Sequence, residues 1–235
     1  EEYLNQLEIG LELANKSVQY DPKNKLGLAM LIGLPMLINE FNSNIYGDWP
    51  QMMSVMRKIQ VSANVMAQEY PESPYAKSLV ALFYFYKGGF TDTANDLNRA
   101  VELLLEAWEQ VKDVDFNLSS DFEYLAAYDI IREWYPNILI RTDQRDKAVN
   151  FIKEEIRCED GTYNCMQIIR LDDVLYLLDW AHADEELLIA CDAMFNKTDA
   201  DFDDAMVDIS FKKFAYYKAG GSHLRLGNYQ EAINL

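Results

Sequence analysis

Ala215-Tyr216-Tyr217-Lys218-Ala219-Gly220-Gly221-Ser222-His223-Leu224-Arg225-Leu226-Gly227-Asn228-Tyr229-Gln230-Glu231-Ala232-Ile233 is the stretch whose reading decides the fold. It reads as a helix, a turn and a second helix. Phe211, Phe214, Tyr217 and Leu224 supply apolar positions along the first helix. Gly227 lets the chain reverse, because glycine reaches backbone angles that other residues avoid. Tyr229 is placed to pack over that turn. Ala232 follows Gly220 by twelve residues. Small side chains at both positions are expected to let the two helices cross closely.

Working outward, the same helical periodicity recurs along the chain. Leu4, Leu7, Leu11, Ala14 and Val18 share a face, as do Val55, Ile59, Ala63 and Met66. Leu79, Leu82 and Tyr86 mark one helix, and Leu97, Ala100, Val101, Leu104 and Trp108 the next. Val174, Leu175, Leu178 and Ala181 precede a stripe of Leu187, Leu188, Cys191 and Met194. Ser120-Asp121-Phe122-Glu123 has the spacing of a capping box. The breaks are short: Asp21 to Asn24, Tyr46 to Pro50, Tyr70 to Pro74, a tight turn at Lys87-Gly88-Gly89-Phe90, Glu159 to Thr162, and Asn196 to Thr198. Only 10 Gly and 6 Pro are present, too few for the many turns of an all-β chain. No run alternates as a half-buried strand would. The expectation is an all-α fold of about ten or eleven helices, and no Pro-, Gly- or Ser-rich linker marks a domain boundary.

Tyr216, Ala219, Gly220, His223 and Ala232 together resemble the helix-turn-helix of the tetratricopeptide-repeat family. A partial match starts at Pro74, with Ala81, Tyr84, Gly88, Leu97 and Ala100 in expected positions and Lys77 and Thr93 departing from them. Gly10, Ala14 and Ser17 with Asp21-Pro22 resemble the close of another repeat. Asp143 to Ala148 with Ile152 gives a fourth fragment, in which Pro136 stands where a Gly belongs. The resemblance implies an irregular α-solenoid of antiparallel helix hairpins forming one domain over residues 1–235. Leu235 falls inside a second helix and Glu1-Glu2-Tyr3-Leu4 already reads as one, so the expectation is a longer parent chain. First helices of such hairpins line a concave groove, which makes Tyr84, Tyr217 and His223 the groove candidates.

The formal net charge is −18, which disfavours nucleic acid and anionic membrane surfaces as partners. Between Glu159 and Asp208, fourteen acidic residues face two basic ones, Arg170 and Lys197. This concentration reads either as a solvated face or as a docking face for a basic partner. Asp184, Glu185, Asp199, Asp201, Asp203 and Asp204 are its docking candidates. The longest apolar run, Leu26 to Ile38, is too short to span a bilayer and contains Pro35.

Candidate chemistry is sparse. The two histidines, His182 and His223, read as packing or groove-lining residues. Ser222 and His223 are neighbours and cannot share a helix face. Asp199-Ala200-Asp201-Phe202-Asp203-Asp204 begins like a calcium loop, but Asp204 stands where the sharp turn needs Gly and Ser210 where a bidentate Glu is required. It reads as an acidic helix start. Cys158, Cys165 and Cys191 read as reduced structural thiols of a cytoplasmic protein, with a Cys158–Cys165 bridge as the alternative. No catalytic residue, metal or cofactor is expected. The function expected is a non-enzymatic module that binds a protein or peptide. The alternatives are an acidic inhibitor or immunity protein that neutralises a basic partner, and the sensory or substrate-binding part of a larger protein.

Overall fold

The computed structural model describes residues 2–41, 49–91, 93–114, 121–205 and 210–234. Among the described residues there are twelve α-helices and one π-helical turn, and no strand. The all-α expectation holds. The count exceeds ten or eleven because Asp199–Asp204 forms a separate six-residue helix, too short to show an apolar period.

The contacts divide into two compact units, Glu1–Ile138 and Leu139–Leu235. The division falls inside one helix, Phe122–Arg141, so no linker signals it in the sequence. In the first unit, helices α1 (Glu2–Tyr20), α2 (Lys25–Phe41), α3 (Trp49–Glu69), α4 (Pro74–Thr91) and α5 (Ala94–Val111) each pack on the next, and α2 also touches α4. Helix α6 (Phe122–Arg141) follows.

Helix α5 shows why such hairpins form. Ala100, Leu103, Leu104, Ala107, Trp108 and Val111 are buried at spacings of three and four, so one stripe faces the core. Gly88 lies inside α4 rather than in the expected tight turn. A Cβ there would stand 2.9 Å from the Leu97 side chain and 3.1 Å from its backbone nitrogen, so glycine is required by the close approach of α5. Pro136 sits within α6 without ending it. The capping box expected at the start of α6 involves Ser120, which lies outside the described residues. The Glu123 carboxylate bonds Lys25 and Ser73, and Asp121 accepts from the Glu123 amide at 3.0 Å.

The second unit holds α7 (Arg145–Phe151), a π-helical turn (Ile152–Ile156), α8 (Ile168–Ala181), α9 (Asp184–Phe195), α10 (Asp199–Asp204), α11 (Ser210–Arg225) and α12 (Tyr229–Asn234). Helix α7 packs on α8, α8 on α9, α9 on α11 and α11 on α12, and α8 also meets α11. Among the described residues no helix is long and apolar enough to cross a membrane.

Candidate functional site

Helices α8 and α11 lie side by side because each buries its apolar or small residues elsewhere and leaves a polar-aromatic face. In α8, Leu171, Val174, Leu175, Leu177 and Leu178 are buried. Asp172, Tyr176, Asp179 and Trp180 remain on the outer side, half-buried or exposed. In α11, Ala215, Ala219 and Ser222 are the buried residues, small enough for α11 to approach α9. The Cys191 thiol of α9 donates to the Ala215 carbonyl at 3.4 Å.

The turn after α11 is closed as its sequence promised. Gly227 has φ +79°, and the amides of Gly227 and Asn228 return to the carbonyls of Leu224 and His223 at 3.2 and 2.8 Å. The close crossing expected at Gly220 is absent. A Cβ there would meet nothing within 4 Å, and α12 buries none of its residues.

Lys218 is the centre of the α8–α11 face. Its ammonium lies 4.8 Å from the Phe214 ring centroid, 5.9 Å from Tyr217 and 6.0 Å from Tyr176. It is ion-paired with Asp179. Arg225 reaches Asp179 at 3.0 Å and Asp184 at 2.6 Å, and its Nε donates to Asp184 at 2.8 Å. Trp180 makes an edge contact with Tyr176 at 5.9 Å and carries the Arg141 guanidinium 5.1 Å from its centroid. Tyr176 and Tyr217 are 53% and 75% exposed, so two aromatic rings flank a neutralised charge cluster and present themselves to solvent.

The two carboxylates of α8 that face Lys218 are in opposite electrostatic situations. Burial alone would push Asp179 up, but the bonds and charges of Lys218 and Arg225 outweigh it and hold the carboxyl below its ordinary value. Burial pushes Asp172 above the ordinary value, against a weaker opposing pull from Lys218.

The expected site residues are distributed differently from the expectation. Tyr217 lies on the face. Tyr84 is in the first unit, half-buried beside Phe83, with the Lys87 ammonium 5.7 Å from its ring. His223 is five residues past Lys218 and so about 140° around the helix. It is half-buried, and its Nδ1 has no hydrogen-bond partner among the described residues. Asp184 is not a free docking group, since its side chain is 13% exposed and bonded to Arg225. Asp201 caps α10: its carboxylate accepts from the Thr198 amide at 2.6 Å. Glu185, Asp199 and Asp203 are exposed. Asp204 belongs to α10, and its side chain lies outside the described residues. His182 ends α8 in the left-handed conformation, with φ 58°.

Asp172 and Asp179 are two of the fourteen acidic residues counted between Glu159 and Asp208, and neither they nor Lys218 and Arg225 were among the expected site residues. Their pairing depends on α11 lying against α8, which no local pattern announces.

A second charge cluster in the same unit surrounds one buried carboxylate. Glu186, 6% exposed, accepts from the Tyr163 hydroxyl at 2.7 Å and pairs with Arg157 at 3.4 Å and Lys153 at 3.9 Å. Burial and then the Glu186 bond hold the Tyr163 phenol far above its ordinary value. Tyr163 sits in a loop closed by a Cys158–Cys165 disulfide, so these two cysteines are not the reduced thiols expected. The Cys158 amide donates to the Thr162 carbonyl at 2.9 Å, and that turn brings the two Cα atoms to 6.1 Å. Cys191 is free and buried, and burial, with the charges of Asp192 and Asp179, pushes its thiol up to about 12, so it is unreactive near neutral pH.

No family model matches the chain, and no curated protein matches it in sequence. Among solved structures, the fold is similar to that of BtubC (BKLC) from P. vanneervenii, with a TM-score of 0.56 and 13% identity over 98% of this chain and 85% of that one. That likeness establishes a shared all-helical fold.

Proposed function

We propose that this chain is a non-enzymatic helical module that binds a protein or peptide on the α8–α11 face. The observation that carries the reading is the pair of exposed rings, Tyr176 and Tyr217, on two helices that pack against one another around Lys218. Aromatic side chains supply large contact area at low conformational cost and are enriched at recognition surfaces. Helices that each pack on the next within a unit support the irregular α-solenoid implied by the tetratricopeptide resemblance. So do the Gly227 turn and the buried Ala219 of the α11–α12 hairpin.

The Cys158–Cys165 bridge favours an oxidising compartment over the cytoplasm. The test is a peptide display selection on the purified chain, repeated with Tyr176→Ala and Tyr217→Ala. The reading requires enriched peptides whose binding falls at least about tenfold in the variants. Enrichment unaffected by both changes would move the site away from this face.

An acidic inhibitor of a basic protein is the second reading. The exposed carboxylates of Glu185, Asp199 and Asp203 support it. It requires association with a basic partner that slows steeply as salt rises, because exposed charges are screened within about 10 Å at 0.1 M ionic strength.

A further inference from the structure

On the α8–α11 face, Asp172, Asp179 and Asp184 stand beside Lys218 and Arg225, and the Arg141 guanidinium lies over the Trp180 ring. Asp179 and Asp184 carry the ion pairs with Lys218 and Arg225. Asp172 is half-buried and makes no hydrogen bond or ion pair among the described residues, although the Lys218 charge acts on it from a distance. An unpartnered carboxylate in partial burial costs free energy that an arriving cation removes.

Tyr176 is one helical turn from Asp172, and its exposed ring stands near that of Tyr217 around the same ammonium. Aromatic faces attract ammonium and guanidinium groups, and here they already hold one, that of Lys218. An anionic ligand fits poorly, because Lys218 and Arg225 are bonded to carboxylates, Arg141 lies over the Trp180 ring and Asp172 would repel it. A chain of net charge −18 also draws basic partners at long range.

Resting on the binding-module reading, we infer that the segment docking on this face is basic, with a lysine or arginine side chain paired to Asp172 beside the exposed rings of Tyr176 and Tyr217.

The test uses the whole chain and three fluorescein-labelled eight-residue probes, alternating Gly with Lys, with Glu or with Leu, read by anisotropy. The Lys–Gly probe is expected to bind. Asp172→Asn, which removes the charge at nearly constant size, is expected to weaken it about tenfold. Tyr217→Ala, at an exposed position that threatens folding least, should weaken it several-fold. The double change Glu185→Gln and Asp203→Asn, which removes two exposed charges off this face, should cost at most about twofold. If that control weakens binding as much as Asp172→Asn, attraction is diffuse and the inference is overturned. If the Leu–Gly probe binds, is lost in Tyr217→Ala, and the Lys–Gly probe does not bind, the face is a binding site for apolar segments: the module reading stands and the basic partner falls. If no probe binds, both fall.

Discussion

Two charge clusters of the second unit differ in what their charges do. Around Glu186 the carboxylate is buried: a tyrosine hydroxyl, a guanidinium and a partly exposed ammonium converge on it, beside a loop tied by a disulfide. Around Lys218, Asp179 and Asp184 are ion-paired, Asp172 has no ion pair among the described residues, and exposed aromatic rings surround them. The acids of both clusters come from the same acid-rich stretch. The first fits a structural role, because a buried charge fully supplied with partners fixes the loop and offers nothing to a ligand. The second retains a half-buried carboxylate without an ion pair beside exposed rings, which suits recognition.

The largest break in this comparison should come from Glu186→Ala. Removing it strands the Tyr163 hydroxyl and Arg157, and the loss should be about 3 kcal/mol in urea unfolding. A loss below about 1 kcal/mol would mean that the cluster is not a structural clasp. Next, Cys158→Ser opens a short loop and should cost about 2 kcal/mol. The change is expected to act on the loop and Tyr163 and to leave binding at the α8–α11 face unaltered, which isothermal titration with the Lys–Gly probe can check.

Asp179→Asn should cost about 1 kcal/mol near neutral pH, since it removes the partner of Lys218. The sign of its pH dependence follows from the lowered carboxyl of Asp179. The stabilisation is present above the ordinary carboxylate value of about 4 and is lost as pH falls through the lowered one. In the variant that part of acid destabilisation should vanish.

The smallest expected effect has the opposite sign. The raised carboxyl of Asp172 contributes stability only at low pH and loses it as pH rises through the raised value. Asp172→Asn should therefore be neutral or stabilising by up to about 0.5 kcal/mol at pH 7, while weakening binding. A clear destabilisation would show that Asp172 serves the fold.

Part of this organisation is readable in residues. The buried stripe of α5 is its i, i+3, i+4 pattern, and Gly227 is needed where the backbone turns to positive φ. The lowered groups and the bridge are less readable. Cys158 and Cys165 could be seen as neighbours, but their pairing depends on the turn that Gly161 makes with φ +76°. Gly88 misled because a glycine pair reads as a turn when the neighbouring helix is unknown. In the structure its missing Cβ makes room for Leu97.

The sequence by itself determined the helical class, most helix stripes, the excess of acid and the α11–α12 turn, because these depend on residues within a few positions of one another. Only the tertiary structure decided which acids of this stretch bind internal partners. That choice rests on α11 bringing Lys218 and Arg225 to Asp179 and Asp184, roughly forty residues away along the chain, and charge pairing at such separation is a property of packing, not of local pattern.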